Sequence, residues 1–139
     1  MTTPPRWFVP LVAVALLWNL VGLFAVFSDM RLAPAAIAAL PPDQQAIHAA
    51  RPLWSIVASV VAVVAGTIGC IGLLMHRRWA VAALAASLAG VVLQDVGLFV
   101  FAGAARLGPV PVVMQAVVLL VAVGLLVLAR RAAGRSWLA

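Results

Sequence analysis

Four uninterrupted apolar stretches, at about residues 7–27, 53–75, 79–102 and 109–129, leave this chain few folds to adopt. Each is close to the roughly 20 residues with which an α-helix crosses a hydrocarbon core about 30 Å thick. No water reaches a backbone N–H or C=O there, so a spanning segment must satisfy its own backbone, as a helix or in a closed barrel. The period-two alternation of barrel strands is missing. The sequence therefore predicts an all-α integral membrane four-helix bundle, one domain over residues 1–139. Composition agrees. Charged residues are 9% of the chain, against about 25% in soluble domains, too few to cover a water-exposed surface. The first stretch is too long for a signal-peptide core and no Ala-x-Ala-like site follows its end before Asp29, so it reads as a span.

The net charge of +6 rests on nine arginines and no lysine. They are scattered at segment ends rather than gathered on one face, which argues against nucleic-acid binding. They read as topology signals. Arg6, Arg77, Arg78, Arg130, Arg131 and Arg135 fall on one side; Arg31, Arg51 and Arg106 fall on the other. Six against three predicts both termini in the cytoplasm. Trp7, Trp54 and Trp79 sit at span ends, where aromatic anchors belong. A composition rich in Ala, Val, Gly and Arg without Lys suggests a GC-rich bacterial genome, hence a bacterial inner membrane.

The chain also echoes itself. Val21-Gly22-Leu23-Phe24 precedes Arg31-Leu32-Ala33-Pro34, and Val96-Gly97-Leu98-Phe99 precedes Arg106-Leu107-Gly108-Pro109, with no gap in register. Gly72-Leu73-Leu74 before Arg77-Arg78 is echoed by Gly124-Leu125-Leu126 before Arg130-Arg131. Repeats of this kind predict two parallel two-helix halves, related by an axis along the membrane normal. One half carries an insert between Pro34 and Pro52. Pro34 can start a short helix through Leu40, and Pro42 another with Asp43 near its positive end. The insert reads as a structured outer loop or, in a functional reading, as a lid.

Asp95 is the sharpest site candidate, the one carboxylate inside a predicted span. Burying such a group costs about 2.5–3.5 kcal/mol on insertion scales, so intramembrane ionisable residues point to function. Counting about 1.5 Å per residue places it in the outer half of the bilayer, with Arg31 and Arg51 of the outer loops as its candidate partners. Asn19, Ser59, Gln94 and Gln115 are expected at comparable depth, and the repeat pairs Asn19 with Gln94. These five could line a pocket for a hydroxylated or cationic solute; the plainer alternative is interhelical hydrogen bonding, worth about 0.6 kcal/mol on average. Small residues at four-residue spacing, Ala58-Ala62-Gly66-Cys70 and Ala82-Ala86-Gly90, mark expected packing faces. Asp95 instead follows Leu84, Leu88 and Val91, which read as facing lipid or a partner. Cys70 has no partner for an intrachain disulfide and reads as an inert thiol. His48 and His76 lie at opposite membrane faces and cannot share a metal. No metal site, cofactor motif or catalytic set is legible, so the chain does not read as an enzyme.

Trp18-Asn19-Leu20 with Gly22, the insert's Ala38-Ala39-Leu40-Pro41, Arg51-Pro52-Leu53-Trp54, and Gly72-Leu73-Leu74 leading into Arg77-Arg78-Trp79-Ala80 together resemble a group of small bacterial four-span proteins of uncharacterised function, some labelled as sugar transporters. The resemblance covers most of the chain through short apolar motifs. It implies the fold and the membrane location, and supplies no site residues. Two functions are expected from the sequence. One is binding or transport of a small polar solute by a homo-oligomer. The other is an accessory or assembly subunit of a larger membrane complex. The lipid bilayer is a partner in either.

Overall fold

The computed structural model describes residues 2–139, and the regular structure among them is helical throughout. Four helices have the length and hydropathy to cross a membrane: Phe8–Met30 (α1), Leu53–Leu74 (α4), Pro109–Gly134 (α6), and the span Ala80–Phe101. That last span consists of Ala80–Asp95 (α5) continued by a π-helical segment, Val96–Phe101. Pro34–Ala38 (α2) and Pro42–Ala50 (α3) fill the insert, as the prolines predict. The all-α membrane bundle follows from the apolar stretches alone.

Helix starts were easier to read than helix ends. Proline opens α2, α3 and α6 because its missing N–H is one the first turn leaves unbonded anyway. The α6 helix runs five residues past the expected end at 129. It stops in a Schellman motif with Ser136 at φ 60°. The Trp137 N–H donates to the Ala132 carbonyl at 2.9 Å and the Ser136 N–H to that of Ala133 at 3.2 Å. The α4 helix ends likewise on His76 at φ 56°, with the Arg77 N–H on the Gly72 carbonyl at 2.9 Å. Glycine normally signals this left-handed cap; serine and histidine conceal it.

The tightest interface joins α4 to α5. A Cβ on Gly90 would stand 2.7 Å from the Ala58 carbonyl oxygen and 2.8 Å from the Ala62 nitrogen. One on Gly69 would stand 2.6 Å from the Leu84 side chain, so Leu84 seats in a notch that glycine leaves. This corrects the expected faces of the third span. Ala82 and Ala86 are exposed, whereas Leu84 and Val91 are buried. Between lipid tails and Leu there is little to choose, so close backbone approach decides which face turns inward. Asp95, four residues beyond Val91, shares that inward face.

The outer pair is different. Helix α1 packs on α4 and α6 packs on α5, but α1 and α6 have no comparable interface with each other. A two-fold relation between the halves would make the α1–α6 contact a copy of the α4–α5 contact. Here that position is a cleft. It is shut at one end, termed proximal, where Phe8, Val12, Leu73, Ala129, Ala132, Trp137 and Leu138 form one buried cluster. Residues 137–139 fold back beneath the bundle. The Ala139 N–H donates to the His76 carbonyl at 2.7 Å and the Arg78 N–H to that of Ala139 at 2.9 Å. Trp137 meets Phe8 edge-on, with ring centroids 5.7 Å apart.

At the opposite, distal end the insert is a structured cap. Gln45 Nε2 donates to the carbonyls of Ala38 at 3.0 Å and Leu40 at 2.6 Å, locking the turn between α2 and α3. Ile47 is buried against Ala102 and Ala104. His48 Nε2 lies 3.4 Å from Asp29 Oδ1, tying α3 to the end of α1.

Candidate functional site

Arg51, Ser55 and Ser59 are spaced by four residues, which stacks them along one face at the start of α4. Arg51 folds down that face rather than out to solvent. Its Nε donates to Ser55 Oγ at 3.2 Å, and one terminal nitrogen, Nη2, reaches both the Ser55 carbonyl at 3.5 Å and the Ser59 hydroxyl. Ser59 in turn donates to the Ser55 carbonyl at 3.1 Å. The network crosses to the third span, where Ser55 Oγ donates to the Gln94 carbonyl at 3.1 Å. Gln94 Nε2 then donates to Gln115 Oε1 on α6 at 3.2 Å. Three helices are thus joined through one hydrogen-bonded chain. Such bonds hold well in a membrane because water does not compete for the groups.

Partial burial pulls the Arg51 guanidinium below its ordinary pKa, while Asp29 and then Asp95 counter that shift by stabilising its charge. Neither carboxylate lies within ion-pair distance of it; the ion pair among the described residues is His48–Asp29.

Two adjoining cavities flank this network. The inner one, about 280 Å³, lies in the cleft between α1 and α6. Trp18, Asn19, Ser87, Gln94 and Gln115 supply its polar atoms, and the remainder of its wall is apolar. The distal one, about 200 Å³, is walled by Asp29, Arg51, Ser59, Gln94 and Gln115. Gln94 and Gln115 belong to both, so their amide pair is the partition between an apolar chamber and a charged one.

The structure therefore gathers Ser59, Gln94 and Gln115 as the sequence suggests, but in two tiers rather than one ring. Asn19 sits lower. Its Nδ2 donates to the Ala15 carbonyl at 2.9 Å and approaches Cys70 Sγ at 3.6 Å, while its Oδ1 overhangs Gly66. From Ser59 to Gly66 is seven residues, or about 10 Å along α4. The expectation of comparable depth fails for Asn19, which packs about two helical turns from Ser59 along α4. Asn19 still faces the inner cavity. Asp95 does not wall either cavity. One of its oxygens is fully enclosed by this chain and has no hydrogen-bond partner.

Immediately after Asp95 the helix widens into the π segment, closed by the Ala102 N–H on the Gly97 carbonyl at 3.0 Å. Gly97 presses on Ser55 so closely that any Cβ there would collide with the serine side chain. π-turns of this kind concentrate at functional sites. Ser55 and Ser87 are not singled out by the sequence as site residues, and Arg51 only as an outer-loop partner for Asp95. The four-residue spacing Arg51-Ser55-Ser59 was the available signal for Arg51 and Ser55. Ser87, whose Oγ donates to the Ala62 carbonyl at 2.6 Å, carries no such signal. Compared with protein-family models, curated proteins and solved structures, the chain matches none.

Proposed function

We propose that this chain is a small-solute binding protein of the bacterial inner membrane, holding its ligand in the cleft between α1 and α6, with both termini in the cytoplasm. The observation that carries the reading is the Gln94–Gln115 amide pair, half-buried between helices and facing a cavity of about 280 Å³. Ligand sites are concave and mostly apolar, with a few polar groups that fix orientation. This cavity has that make-up. The sequence resemblance to four-span proteins labelled as sugar transporters supports a transport role, and a homo-oligomer is the form in which so small a bundle would move a solute. Arg51 and Asp95 act on the ligand's surroundings, Arg51 from the distal chamber and Asp95 through its field on Arg51. No catalytic role is proposed.

The test is a thermal-shift screen of the purified chain against sugars, amino acids, amines and amphiphiles. A stabilising ligand should lose at least about tenfold in affinity in Gln94→Leu and Gln115→Leu, since each removes a buried polar contact. A stabilising ligand indifferent to both substitutions would refute the cleft as its site. A second reading, an accessory subunit, is favoured by α1, whose most apolar window is only 6% buried within this chain. Purification as a lone species from native membranes in mild detergent would count against it.

A further inference from the structure

The cleft has a third compartment. On the lipid side of the gap between α1 and α6 lies an apolar groove of about 380 Å³, walled by Leu11, Val14, Trp18, Val121, Gly124 and Leu128 among others. Trp18, Val121 and Leu125 belong both to this groove and to the inner cavity. The three spaces therefore adjoin in a fixed order: a lipid-facing apolar groove, a mostly apolar chamber crossed by the Gln94–Gln115 amides, and a distal chamber holding charge. Polarity rises along that order. A water-soluble ligand has no use for the first compartment, and an alkane has none for the last.

The charges in the distal chamber are of both signs. Arg51 offers a guanidinium bonded only to serine hydroxyls and a carbonyl, with no carboxylate inside ion-pair distance. Asp29 lines the same chamber from the end of α1, one oxygen beside His48. Asp95 adds negative field from the third span. A purely anionic head would meet Arg51 but be opposed by both carboxylates. A head with adjacent negative and positive groups would satisfy both walls.

From this arrangement, and resting on the cleft being a ligand site, we propose that the occupant is a single-chain zwitterionic phospholipid that enters sideways from the bilayer. Its phosphate sits at Arg51, its ammonium at Asp29, and its acyl chain runs past the Gln94–Gln115 pair into the chamber and out between α1 and α6. Bidentate guanidinium–phosphate contact gives the head its register. The apolar chain leaves lipid for a protein wall of similar polarity, so selectivity comes from the head. Gly124 sits at the mouth, and a Cβ placed there meets nothing within 4 Å. The portal can therefore be filled without disturbing the packed α4–α5 core.

The experiment is native mass spectrometry of the intact chain released from detergent, titrated with palmitoyl lysophosphatidylethanolamine. Palmitoyl lysophosphatidylglycerol, palmitate and phosphoethanolamine are the comparison probes. The expected result is one lysophosphatidylethanolamine per chain, bound at least about tenfold more tightly than the other three. Gly124→Phe should abolish that complex, while Gly124→Ala, which leaves the mouth open, should keep it. Arg51→Gln should weaken it about tenfold or more, and Asp29→Asn should erase the preference over lysophosphatidylglycerol. Circular dichroism melts of each variant separate a blocked portal from a lost fold. Equal binding of all three chained probes, unchanged by Gly124→Phe, would mark ordinary surrounding lipid and overturn the proposal. A soluble solute that binds with Gln94 and Gln115 dependence but ignores Gly124→Phe would overturn lateral entry while leaving the cleft as a solute site.

Discussion

Two glycine-to-alanine substitutions should move stability in opposite directions. Gly90 and Gly124 both lie inside spanning helices, and in an unconstrained helix each change to alanine gains up to about 1 kcal/mol in propensity. At Gly124 the added methyl meets nothing within 4 Å, so Gly124→Ala should keep most of that gain. At Gly90 the methyl meets backbone, the Ala58 carbonyl oxygen at 2.7 Å and the Ala62 nitrogen at 2.8 Å. Neither atom can swing aside as a side-chain tip would, so α4 and α5 must separate. Overpacking a close contact costs about 1–3 kcal/mol. In a membrane, van der Waals approach between helices is itself a main source of association. Subtracting the propensity gain leaves Gly90→Ala less stable by up to about 2 kcal/mol. Reversible unfolding in mixed detergent micelles, followed by circular dichroism, gives both values on one scale. If Gly90→Ala proves more stable than the parent, as Gly124→Ala should, the α4–α5 contact is not backbone-limited. The argument that turned Leu84 inward and Ala82 outward then fails with it.

Three further outcomes follow from the same contacts. Ser55 is fully buried and accepts from Arg51 while donating to the Gln94 carbonyl, so Ser55→Ala should cost about 1–3 kcal/mol in the micelle assay; a change below about 0.5 kcal/mol would show the network is not formed. Leu138→Ala empties a side chain that is 2% exposed in the proximal cluster and should cost about 2–5 kcal/mol; a neutral result would mean residues 137–139 do not fold beneath the bundle. Asp95→Asn keeps the shape of a half-buried carboxylate with an unpartnered oxygen, so it should leave the fold intact and ligand affinity within about threefold. A complete loss of binding would place Asp95 in direct contact with the ligand.

The spans and the two insert helices were legible because they depend on local chemistry: apolar run length and proline at the first helical turn. The faces were not. In a soluble helix the polar side announces the outside. Here lipid and core are both apolar, so alanine and leucine carry no directional label. Ala82 and Ala86 looked like a packing stripe, yet Leu84 is the residue that fills the Gly69 notch. The polar site was half legible. Ser59, Gln94 and Gln115 stood out as exceptions in apolar runs, and the structure brings them together. Arg51 was read as a topology signal and as an outer-loop partner for Asp95, because its position at a span end allowed both readings. That it folds back along Ser55 and Ser59 depends on the α4–α5 contact, which no local pattern encodes.

The repeated Val-Gly-Leu-Phe gives that last point a physical form. If the halves are duplicates, the register that pairs Asn19 with Gln94 also pairs Ala15 with Gly90, and the Gly-Leu-Leu echo pairs Val118 and Val121 with Gly66 and Gly69. Where α4 meets α5 through glycine, the matching positions of α6 carry valine and that of α1 carries alanine. Those added side chains are the ones that wall the cleft: Val118 and Val121 line the inner cavity, and Val121 lines the lipid-side groove as well. On this argument the cleft is the second copy of the central interface, held open by bulk that the first copy lacks. Cysteines placed at Val14 and Gly124, on the two walls of the groove and beyond the proximal cluster, report the separation directly in a Cys70→Ala background. They should form a disulfide slowly under mild oxidation, because cysteine pairs more than about 7 Å apart at Cα need backbone movement to bridge. Fast, quantitative cross-linking in the parent bundle would show that α1 and α6 close on each other, and the cleft would lose its standing as a permanent feature of the fold.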